Sequence, residues 1–265
     1  MRAARIVAAT FFRLVVPILL GPRQREQFPR LRGQVDLVYR DGQFHLYATA
    51  QVPTPEPTPV TDFLGVDLGL ANLATDSDPD TAPYGGGDVE RVRRKHCLQR
   101  RRLQRRGTTG ARRKARRVGR KEGRFRRHEN HRITQQLVSA AQRTGRGIAV
   151  EDLDGIRDRV TARAPEARAR LSGWSFHQFY HFLAYKAERA GVPVVRVDPA
   201  YTSQTCAACG HCCRANRTSQ AVFECQACGH KAHADKNAAR GPTRSGEFRA
   251  RAIAKLALEL GSPRG

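Results

Sequence analysis

The chain has 265 residues, and its 48 Lys and Arg against 24 Asp and Glu give a formal net charge of +24. A hydrophobic content of 40% is enough to build a core, which excludes a chain that is disordered throughout. The charge excess favours a polyanionic partner, because each cation that neutralises a phosphate releases a counterion.

The first 59 residues are predicted to form β structure followed by a linker. Residues 1–30 are apolar and basic. Arg13 and Pro17 interrupt the apolar run within MRAARIVAATFFRLVVPILLG, and that run is too short for a membrane span of ~20 residues. Strands are therefore favoured over a signal peptide. Residues 31–52 alternate polar and apolar side chains around Asp41-Gly42, which predicts a hairpin. The sequence PTPEPTP that follows predicts a stiff, extended linker.

Residues 60–200 are predicted to form an α/β core. The sequence FLGVDLGLANLATDSD (63–78) predicts a buried strand ending near Asp67, a turn at Gly69 and a second strand. Residues 148–153 and 193–199 are predicted to be short buried strands, and residues 174–191 an amphipathic helix with a glycine stop. Strands that alternate with helices are typical of an α/β sheet.

A basic helical insertion is predicted over residues 88–142. The stretch Arg91–Arg127 holds 19 Lys or Arg and one acid, Glu122, and is predicted to be helical with a break at residues 107–110. Charge runs are also often solvated or disordered, but we expect ordered helices that contact nucleic-acid backbone. The residues expected to make these contacts are Arg93, Arg94, Arg101, Arg105, Arg112, Arg113, Arg116 and Arg120.

Two CxxC pairs predict a zinc ribbon over residues 201–232. Cys206, Cys209, Cys225 and Cys228 offer four thiolates, which satisfy a tetrahedral structural zinc ion. Buried or disulfide-linked cysteines are the alternative, but six of the seven cysteines fall within residues 206–228, which indicates metal binding in a reducing compartment. Cys97, Cys212 and Cys213 are left outside the predicted site.

Residues 233–265 are predicted to form the final helix and a tail. The helix is expected to span about residues 235–260, with an interruption around Gly241-Pro242. Asp235 stands at its start, seven residues after Cys228, which is not metal-ligand spacing for the ribbon. A helix N-cap is one explanation for this aspartate.

Three acids lie at the ends of predicted core elements: Asp67, Glu151 and Asp235. Carboxylates that are desolvated together raise one another's pKa unless a cation joins them. Two Mg²⁺ ions held by such a cluster could activate water and stabilise the leaving oxygen in phosphodiester hydrolysis. For Asp67 a turn-forming role before Gly69 is the alternative, and the sequence pattern alone leaves these readings open.

The segments FLGVDLGLANLAT, IAVEDLDGIR, PAYTSQTCAACGH and CQACGHKAHADKNAARG occur in this order. Together they resemble the TnpB or OrfB family of transposon-encoded, RNA-guided nucleases of IS200/IS605-type elements, which is related to the type V CRISPR effectors. The resemblance covers about residues 18–241. It implies an α/β fold with a RuvC-like (RNase H) nuclease core, inserted basic helices and a four-cysteine zinc ribbon, preceded by a partial wedge-type β-barrel.

The resemblance also implies a function and a site. Asp67, Glu151 and Asp235 match the family's three catalytic carboxylates, which bind Mg²⁺; Asp152 would point to the other side of its strand. The implied activity is RNA-guided DNA cleavage, with DNA and a guide RNA as partners and zinc as a structural metal. We expect a cytoplasmic, nucleoid-associated protein without a membrane segment, monomeric or weakly dimeric.

Family members extend further at the N-terminus, so a truncated or degenerate copy is expected. Its cutting chemistry could be intact while targeting is impaired. The alternative function is a non-catalytic zinc-ribbon protein that binds nucleic acid, either a remnant or a regulator. A binder of this kind would have no need of three buried acids.

Overall fold

The computed structural model describes residues 2–7, 13–40, 42–153, 176–199 and 201–244. The chain divides into two compact units, Met1–Thr54 and Pro55–Gly265. The second unit carries the three predicted acids and the four predicted zinc ligands, so each unit is described by itself and the second in more detail.

The first unit consists of two antiparallel hairpins. Its elements are β1 (Arg2–Val7), β2 (Arg13–Ile18), α1 (Pro22–Gln27), a 3₁₀ turn (Phe28–Arg30), β3 (Leu31–Arg40) and β4 (Gln43–Ala50). The strands β1 and β2 pair with each other, as do β3 and β4. Gly42 has φ +84°, which a non-glycine residue rarely adopts and which the tight connection between β3 and β4 requires. The predicted hairpin over residues 31–52 is therefore confirmed.

The second unit is built on a five-stranded mixed sheet. Its strands are β5 (Phe63–Asp67), β6 (Asn72–Asp76), β7 (Tyr84–Gly85), β8 (Gly147–Glu151) and β9 (Val194–Val197), and their spatial order is β7-β6-β5-β8-β9. The first three strands form an antiparallel meander, whereas β8 is parallel to both β5 and β9. The carboxyl ends of β5 and β8 consequently lie side by side at one edge of the sheet.

The described residues of this unit include four helices: α2 (Gly87–Arg105), α3 (Thr109–Thr144), α4 (Phe176–Arg189) and α5 (Ala234–Arg244). The predicted break in the basic run is present, because Gly107 adopts φ +67° and the Thr108 hydroxyl then caps α3 by accepting from the Ala111 amide. Gly145, at φ +64°, ends α3 two residues before β8. None of the described helices combines the length and apolar character that a bilayer crossing requires.

The main core lies between the sheet and the pair α3 and α4. Buried side chains of both helices pack on the side chains that β5 and β8 direct to the same face: Leu64, Val66, Ile133, Leu137, Val138, Ala141, Ile148, Val150, Phe179, Leu183 and Ala187. This packing follows from the helical spacing of the apolar residues in α3 and α4. The packing holds α3 and α4 as one layer against the sheet, and so fixes the position of the helices relative to the strand ends.

One prediction about α5 is wrong. The helix runs without a break through Gly241-Pro242 to Arg244, although proline lacks the amide that would bond to the carbonyl four residues earlier. Ala234, Ala238 and Ala239 are buried and anchor α5 against the rest of the unit, which outweighs one missing hydrogen bond. The remainder of the predicted helix, residues 245–260, lies outside the described residues, as do residues 174 and 175 at the predicted start of α4.

The cysteine-rich module lies between β9 and α5. It contains a 3₁₀ turn (Arg214–Asn216) and a small antiparallel hairpin of β10 (Val222–Glu224) and β11 (Lys231–His233). Asn216 is fully buried and joins the two CxxC pairs, because its Nδ2 donates to the carbonyl of His211 and its Oδ1 accepts from the amide of Gln226.

Candidate active site and metal centre

The fold brings the three predicted acids to one edge of the sheet. Asp67 is the last residue of β5, Glu151 is the last residue of β8, and Asp235 is the second residue of α5. Asp235 is 93% buried and the other two are partly buried. The three are separated by 84 residues at each step of the sequence, so only the fold makes them neighbours.

The chain can turn sharply after Asp67 because residue 69 is a glycine. A Cβ at Gly69 would lie 2.8 Å from the carbonyl oxygen of Asn72, closer than a side chain tolerates. The tight return starts β6 at Asn72, directly beside the strand end that carries Asp67. Asp67 can therefore both precede the turn at Gly69 and belong to the cluster of acids.

Burial and mutual repulsion act on the two strand-end acids. Burial, followed by the charges of Glu151 and Asp235, raises the pKa of Asp67 well above its ordinary value of 3.8. Burial also raises the pKa of Glu151, while hydrogen bonds from Thr202 and from Asp67 oppose that rise. Asp67 and Glu151 are thus close enough for each to affect the pKa of the other. Such a pair is the arrangement that a divalent cation would relieve.

Three polar side chains orient these carboxylates. The Thr202 hydroxyl donates to Glu151 Oε1 at 2.7 Å, Asn72 Nδ2 donates to Asp235 Oδ2 at 2.8 Å, and Arg217 Nη2 lies 3.3 Å from Asp235 Oδ1. Sequence reasoning missed the roles of all three. Thr202 had a signal, because it lies in PAYTSQTCAACGH, one of the four segments that carry the family resemblance. Asn72 and Arg217 reach the site through side-chain directions that no sequence pattern gives.

The N-cap reading of Asp235 is wrong. Asp235 lies inside α5, and its carboxylate accepts from Asn72 and Arg217, whereas an N-cap side chain accepts from the amides of its own first turn.

Asp152, the neighbour of Glu151, pairs with Arg196 at 3.4 Å. This contact directs Asp152 away from the other acids and agrees with the choice of Glu151 over Asp152.

The two residues after Asp235 fix the position of its helix. Lys236 Nζ donates to the backbone carbonyl and to Oδ1 of Asp76, at 3.0 and 3.1 Å, and also to the carbonyl of Asp78. Asn237 is fully buried; its Oδ1 accepts from the Ala207 amide at 2.9 Å and its Nδ2 donates to the Thr205 carbonyl at 2.8 Å. The helix start is therefore tied both to the end of β6 and to the cysteine-rich module.

The four predicted cysteines form a second cluster. Their Sγ atoms all lie within 4.8 Å of one another, with 3.8 Å between Cys206 and Cys228 and 3.6 Å between Cys209 and Cys225. A tetrahedral zinc site with Zn–S distances of about 2.3 Å places its sulfurs roughly 3.8 Å apart. The cluster could therefore hold a metal such as zinc. Cys97, Cys212 and Cys213 do not belong to it.

Backbone amides favour the thiolate form of Cys225, whereas the pKa of Cys209 is raised to about 12, because the lowering effect of the backbone bond from His211 is outweighed by hydrogen bonds with the other three cysteines. The amides of Cys228 and Ala227 donate to the Cys225 thiol and lower its pKa to about 6, so the thiolate form is favoured at neutral pH. Gly210 and Gly229 follow the two CxxC pairs with φ of +77° and +70°. These left-handed residues allow the equivalent turns that close each pair.

The carboxylate site is looser than the cysteine site. Among groups of three or more His, Cys, Asp or Glu side chains in the described part of the chain, only the four cysteines have ligand atoms that all lie within 4.8 Å of one another. The guanidinium of Arg217 already supplies one positive charge to the acids. Oxygen ligands are those that Mg²⁺ prefers, so the chemistry of the donor set fits this ion, and the carboxylates would draw together around it.

The arginines predicted to contact nucleic acid lie on α2 and α3. Seven of them are exposed: Arg94, Arg101, Arg105, Arg112, Arg113, Arg116 and Arg120. Arg93 and Arg94 both pair with Glu90 at 2.7 Å, and the side chain of Arg93 is only 16% exposed. These two pairs lower the pKa of Glu90 to about 2. Arg93 and Arg94 are therefore engaged within α2 itself.

Similarity to solved structures gives the fold class. The chain superposes on a Cas12f1–sgRNA–target DNA complex with a TM-score of 0.56 at 19% identity, covering 80% of this chain and 56% of that one. A CRISPR-Cas12f ternary complex gives a TM-score of 0.57 at 20% identity, over 80% and 45% of the two chains. The fold is thus an α/β fold with a mixed sheet similar to that of Cas12f.

Sequence comparisons then give the family. Residues 45–155 match the model described as a probable transposase (OrfB_IS605), and residues 176–241 match the Cas12f1-like TNB domain. The Cas12f1 endodeoxyribonuclease of Sulfoacidibacillus thermotolerans is 35% identical over 67% of this chain and 44% of its own length. The chain is therefore related to the TnpB/OrfB transposon proteins and to the Cas12f nucleases, which confirms the resemblance read from its motifs.

Two further relatives have transposon-type names. The putative RNA-guided DNA endonuclease InsQ of Escherichia coli K12 is 32% identical over 73% of this chain and 52% of its own length. A TnpB-like protein of Methanocaldococcus jannaschii is 35% identical over 36% of this chain and 34% of its own. The chain spans about half the length of the curated relatives that it matches over most of its residues.

Proposed function

We propose that this chain is a metal-dependent, RuvC-like DNA endonuclease of TnpB type, guided by RNA and associated with transposition. The observation that carries the proposal is the meeting of Asp67, Glu151 and Asp235 at one sheet edge, with the pKa of Asp67 and of Glu151 raised. The names of the relatives, which include endodeoxyribonucleases and an RNA-guided DNA endonuclease, support the reaction type.

Mg²⁺ is the catalytic metal in this proposal, with two ions at the three carboxylates. Bound there, it would supply activation of water and neutralisation of charge on the leaving oxygen. Asp67, Glu151 and Asp235 would be its ligands. Thr202 keeps Glu151 oriented through the 2.7 Å hydrogen bond to Oε1, and Asn72 does the same for Asp235. The carboxylates would then present their free oxygens to the metal rather than to each other.

Arg217 has a separate role in the proposal. Its guanidinium pairs with Asp235 at 3.3 Å while its side chain is 24% exposed. A guanidinium at this place can contact a phosphate and a carboxylate at once, since it carries five donors in a planar fork. We assign it to the phosphodiester group, where it would orient the scissile bond and offset charge that develops on the phosphate oxygens.

Zinc is the structural metal in this proposal. Cys206, Cys209, Cys225 and Cys228 would bind it, since their sulfur separations fit a tetrahedral site. Thr205 and Ala207, on either side of Cys206, bond to Asn237 of α5. The ribbon would therefore hold Asp235 in place without contacting the catalytic metal. This arrangement explains the spacing between Cys228 and Asp235.

The partners follow from charge and from the relatives. A net charge of +24 suits a complex with DNA and a guide RNA, and the similar Cas12f structures contain sgRNA and target DNA. In this proposal the exposed arginines of α2 and α3 contact phosphates, and the protein acts on DNA in the nucleoid.

The test compares cleavage with binding. The full chain is co-expressed with the RNA transcribed from its own locus, and Mg²⁺-dependent nicking of DNA is measured together with nucleic-acid affinity. Asp67→Ala is expected to abolish cleavage and leave affinity nearly unchanged, because only cleavage needs the metal ligand. Asp152→Asn is the matched control, since Asp152 is adjacent to Glu151 but pairs with Arg196.

Two results would contradict the proposal. Equal loss of cleavage and affinity in Asp67→Ala would show that the acids support the fold rather than the reaction. RNA and DNA binding without any Mg²⁺-dependent cleavage by the wild-type chain would favour a non-catalytic zinc-ribbon protein. Asp235→Asn adds a further check, because asparagine keeps the size and shape of the side chain and removes the charge that a metal requires.

A further inference from the structure

A groove between α3 and α4 has no role in the site described so far. Its volume is about 430 Å³, within the ~300–1,000 Å³ of ligand sites. Two residues of α3 and four of α4 line it: Arg127, His131, His177, Gln178, His181 and Phe182. None of them belongs to the buried apolar cluster between the sheet and the two helices, so packing of that core does not explain them.

The groove combines unused donors with aromatic rings. Within the described residues, the Arg127 guanidinium has no acidic partner and His177 has no hydrogen-bond partner. Gln178 accepts from Asn130 through Oε1 at 3.1 Å, which leaves its Nε2 amide hydrogens available to a ligand. Such donors, gathered around one concavity, suit an anion with several acceptor oxygens, and a phosphate is the simplest one.

Aromatic rings form one wall of the groove. The ring of His131 stacks on that of Phe182, with centroids 3.8 Å apart and planes inclined by 14°. His181 is exposed and lies 6.2 Å from Phe182 and 5.9 Å from Tyr185 between ring centroids. Flat rings beside phosphate donors are the combination that binds single-stranded nucleic acid, whose bases are free to stack; in a duplex the base faces are not accessible.

Topology places the groove at the same sheet edge as the acids. Two residues separate α3 from β8, so α3 runs back along the sheet, and His131 lies thirteen residues before the end of α3. That distance is about 20 Å along a helix, whereas the four steps from Gly147 to Glu151 rise about 13 Å. Measured from the connection between α3 and β8, His131 therefore lies beyond the level of Glu151, toward the sheet edge that carries the acids.

Contacts of α4 give the same placement. Arg196 of β9 lies over the ring of Tyr180 at 3.6 Å and also pairs with Asp152, the residue after Glu151. The amino-terminal half of α4, which carries His177 and His181, is therefore beside the strand end that carries Glu151. A strand bound in the groove would run along the edge where the three carboxylates meet.

We propose that the α3–α4 groove binds the phosphodiester backbone of single-stranded nucleic acid, with Arg127, His177 and Gln178 on phosphate oxygens and His181 stacked on a base. The inference rests on the proposed function in one respect: the strand it binds is the one led to the carboxylates. It deepens that function by assigning a path for the substrate strand on the surface of the second unit.

The test measures binding and omits cleavage. The affinity of the full chain for fluorescein-labelled oligothymidylate is determined by fluorescence anisotropy, with Ca²⁺ in place of Mg²⁺. Arg127→Gln is expected to weaken binding about tenfold, the size of one charge-assisted hydrogen bond. It should also reduce the slope of log affinity against log salt by roughly 0.7, which is one phosphate contact on a single strand.

Matched variants separate the effect of the groove on affinity from the general effect of removing one positive charge. Arg143→Gln removes the same charge from an exposed position in the last turn of α3, about 24 Å along the helix from Arg127, and is expected to change affinity less than about twofold. His181→Ala keeps the charge of Arg127 and is expected to lower crosslinking of a 4-thiothymidine oligonucleotide to the α4 peptide. Circular dichroism of each variant verifies the fold.

Several outcomes would overturn the proposal. Unchanged affinity in Arg127→Gln, equal weakening in Arg143→Gln, or crosslinks confined to other helices would each do so. Equal affinity for the duplex and the single strand would contradict the stacking part and favour plain duplex contact. Because no cleavage is measured, failure here leaves the carboxylate site untouched, and an inactive carboxylate site leaves the groove assignment intact.

Discussion

Asn72 Nδ2 donates a 2.8 Å hydrogen bond to Asp235 Oδ2 and so joins two residues that are 163 positions apart. Asn72 begins β6, immediately after the turn that follows Asp67. The amide therefore links the orientation of the α5 carboxylate to the strand that carries its neighbour. With Arg217 on Oδ1, both oxygens of Asp235 have a partner from a different part of the chain.

Asn72→Ala is expected to weaken divalent-cation binding about tenfold. The substitution leaves Asp235 free to rotate, and the loss of one hydrogen bond to a charged group corresponds to roughly 1.5 kcal/mol. Mn²⁺ affinity, measured by electron paramagnetic resonance, is the direct readout. Zinc content should stay near the wild-type value, since Asn72 does not contact the cysteines. Unchanged Mn²⁺ affinity would show that the hydrogen bond does not orient the ligand.

Arg217→Gln is expected to strengthen Mn²⁺ binding, whereas Asn72→Ala is expected to weaken it. The guanidinium lowers the pKa of Asp67 and of Glu151 through its charge, and the same charge repels a divalent cation. Its removal should tighten Mn²⁺ binding severalfold and, under the proposed function, slow DNA cleavage. Arg217→Lys keeps the charge but not the planar fork, so it should restore the wild-type Mn²⁺ affinity without restoring cleavage. Weaker Mn²⁺ binding in Arg217→Gln would contradict this account.

The sequence predicted the elements of the second unit well, because each carries a local signal. The strand of Phe63–Asp67 is a short apolar run before a glycine turn, and α4 has apolar residues at helical spacing. The cysteine cluster was also predictable from spacing. The continuity of α5 through Pro242 was not, because burial of Ala238 and Ala239 overrides a local helix-breaking signal.

Contacts between side chains that are distant in sequence could not be predicted from the sequence. Thr202, Asn72 and Arg217 are ordinary polar residues whose neighbours in sequence say nothing of the carboxylates that they touch. The pairing of Arg93 and Arg94 with Glu90 likewise depends on helix phase and rotamer rather than on the charge run. The acids themselves were identified through the family motifs, and periodicity alone left their turn and cap readings open.

Cys225→Ser is expected to release the zinc ion. Four sulfurs within 4.8 Å of one another are needed for the tetrahedral site, and serine does not replace a thiolate ligand. Zinc per chain, measured by atomic absorption, should fall from about one to near zero. Cys212→Ser is the matched control, because Cys212 is an exposed cysteine of the same module outside the cluster. Equal zinc loss in both variants would contradict the assignment.

Lys236→Met is expected to destabilise the folded chain by about 3 kcal/mol, since it leaves the buried carboxylate of Asp76 without its cation. Lys231→Met is the control: Lys231 pairs with Glu224 at 3.0 Å, but its side chain is 73% exposed, so the cost should be at most about 1 kcal/mol. Urea unfolding of the zinc-loaded protein gives both values. The double variant Lys236→Met/Asp76→Asn should recover part of the loss, and no recovery would contradict the charge argument.

Asp67→Asn is expected to stabilise the chain at neutral pH when divalent cations other than zinc are absent. Burial and the charge of Glu151 raise the pKa of Asp67 above 3.8, so protonation of this group favours the folded state. That contribution is fully present below the unfolded pKa and is lost as pH rises through the folded pKa. As pH rises, burial of this carboxyl group therefore costs more relative to the unfolded chain, where the group is free to ionise, and asparagine removes that cost together with the repulsion.

The signature of Asp67→Asn is a difference in melting temperature that depends on pH and on Mg²⁺. The variant should melt above the wild type at neutral pH, and the difference should shrink toward about pH 4, where the wild-type group is protonated in the folded state. Mg²⁺ should raise the melting temperature of the wild type more than that of the variant, because only the former keeps the full ligand set. Asp152→Asn, beside the site but paired with Arg196, should show neither effect. A variant that melts below the wild type across this range would mean that Asp67 supports the fold through a contact of its charge, and the metal-ligand assignment would then fail.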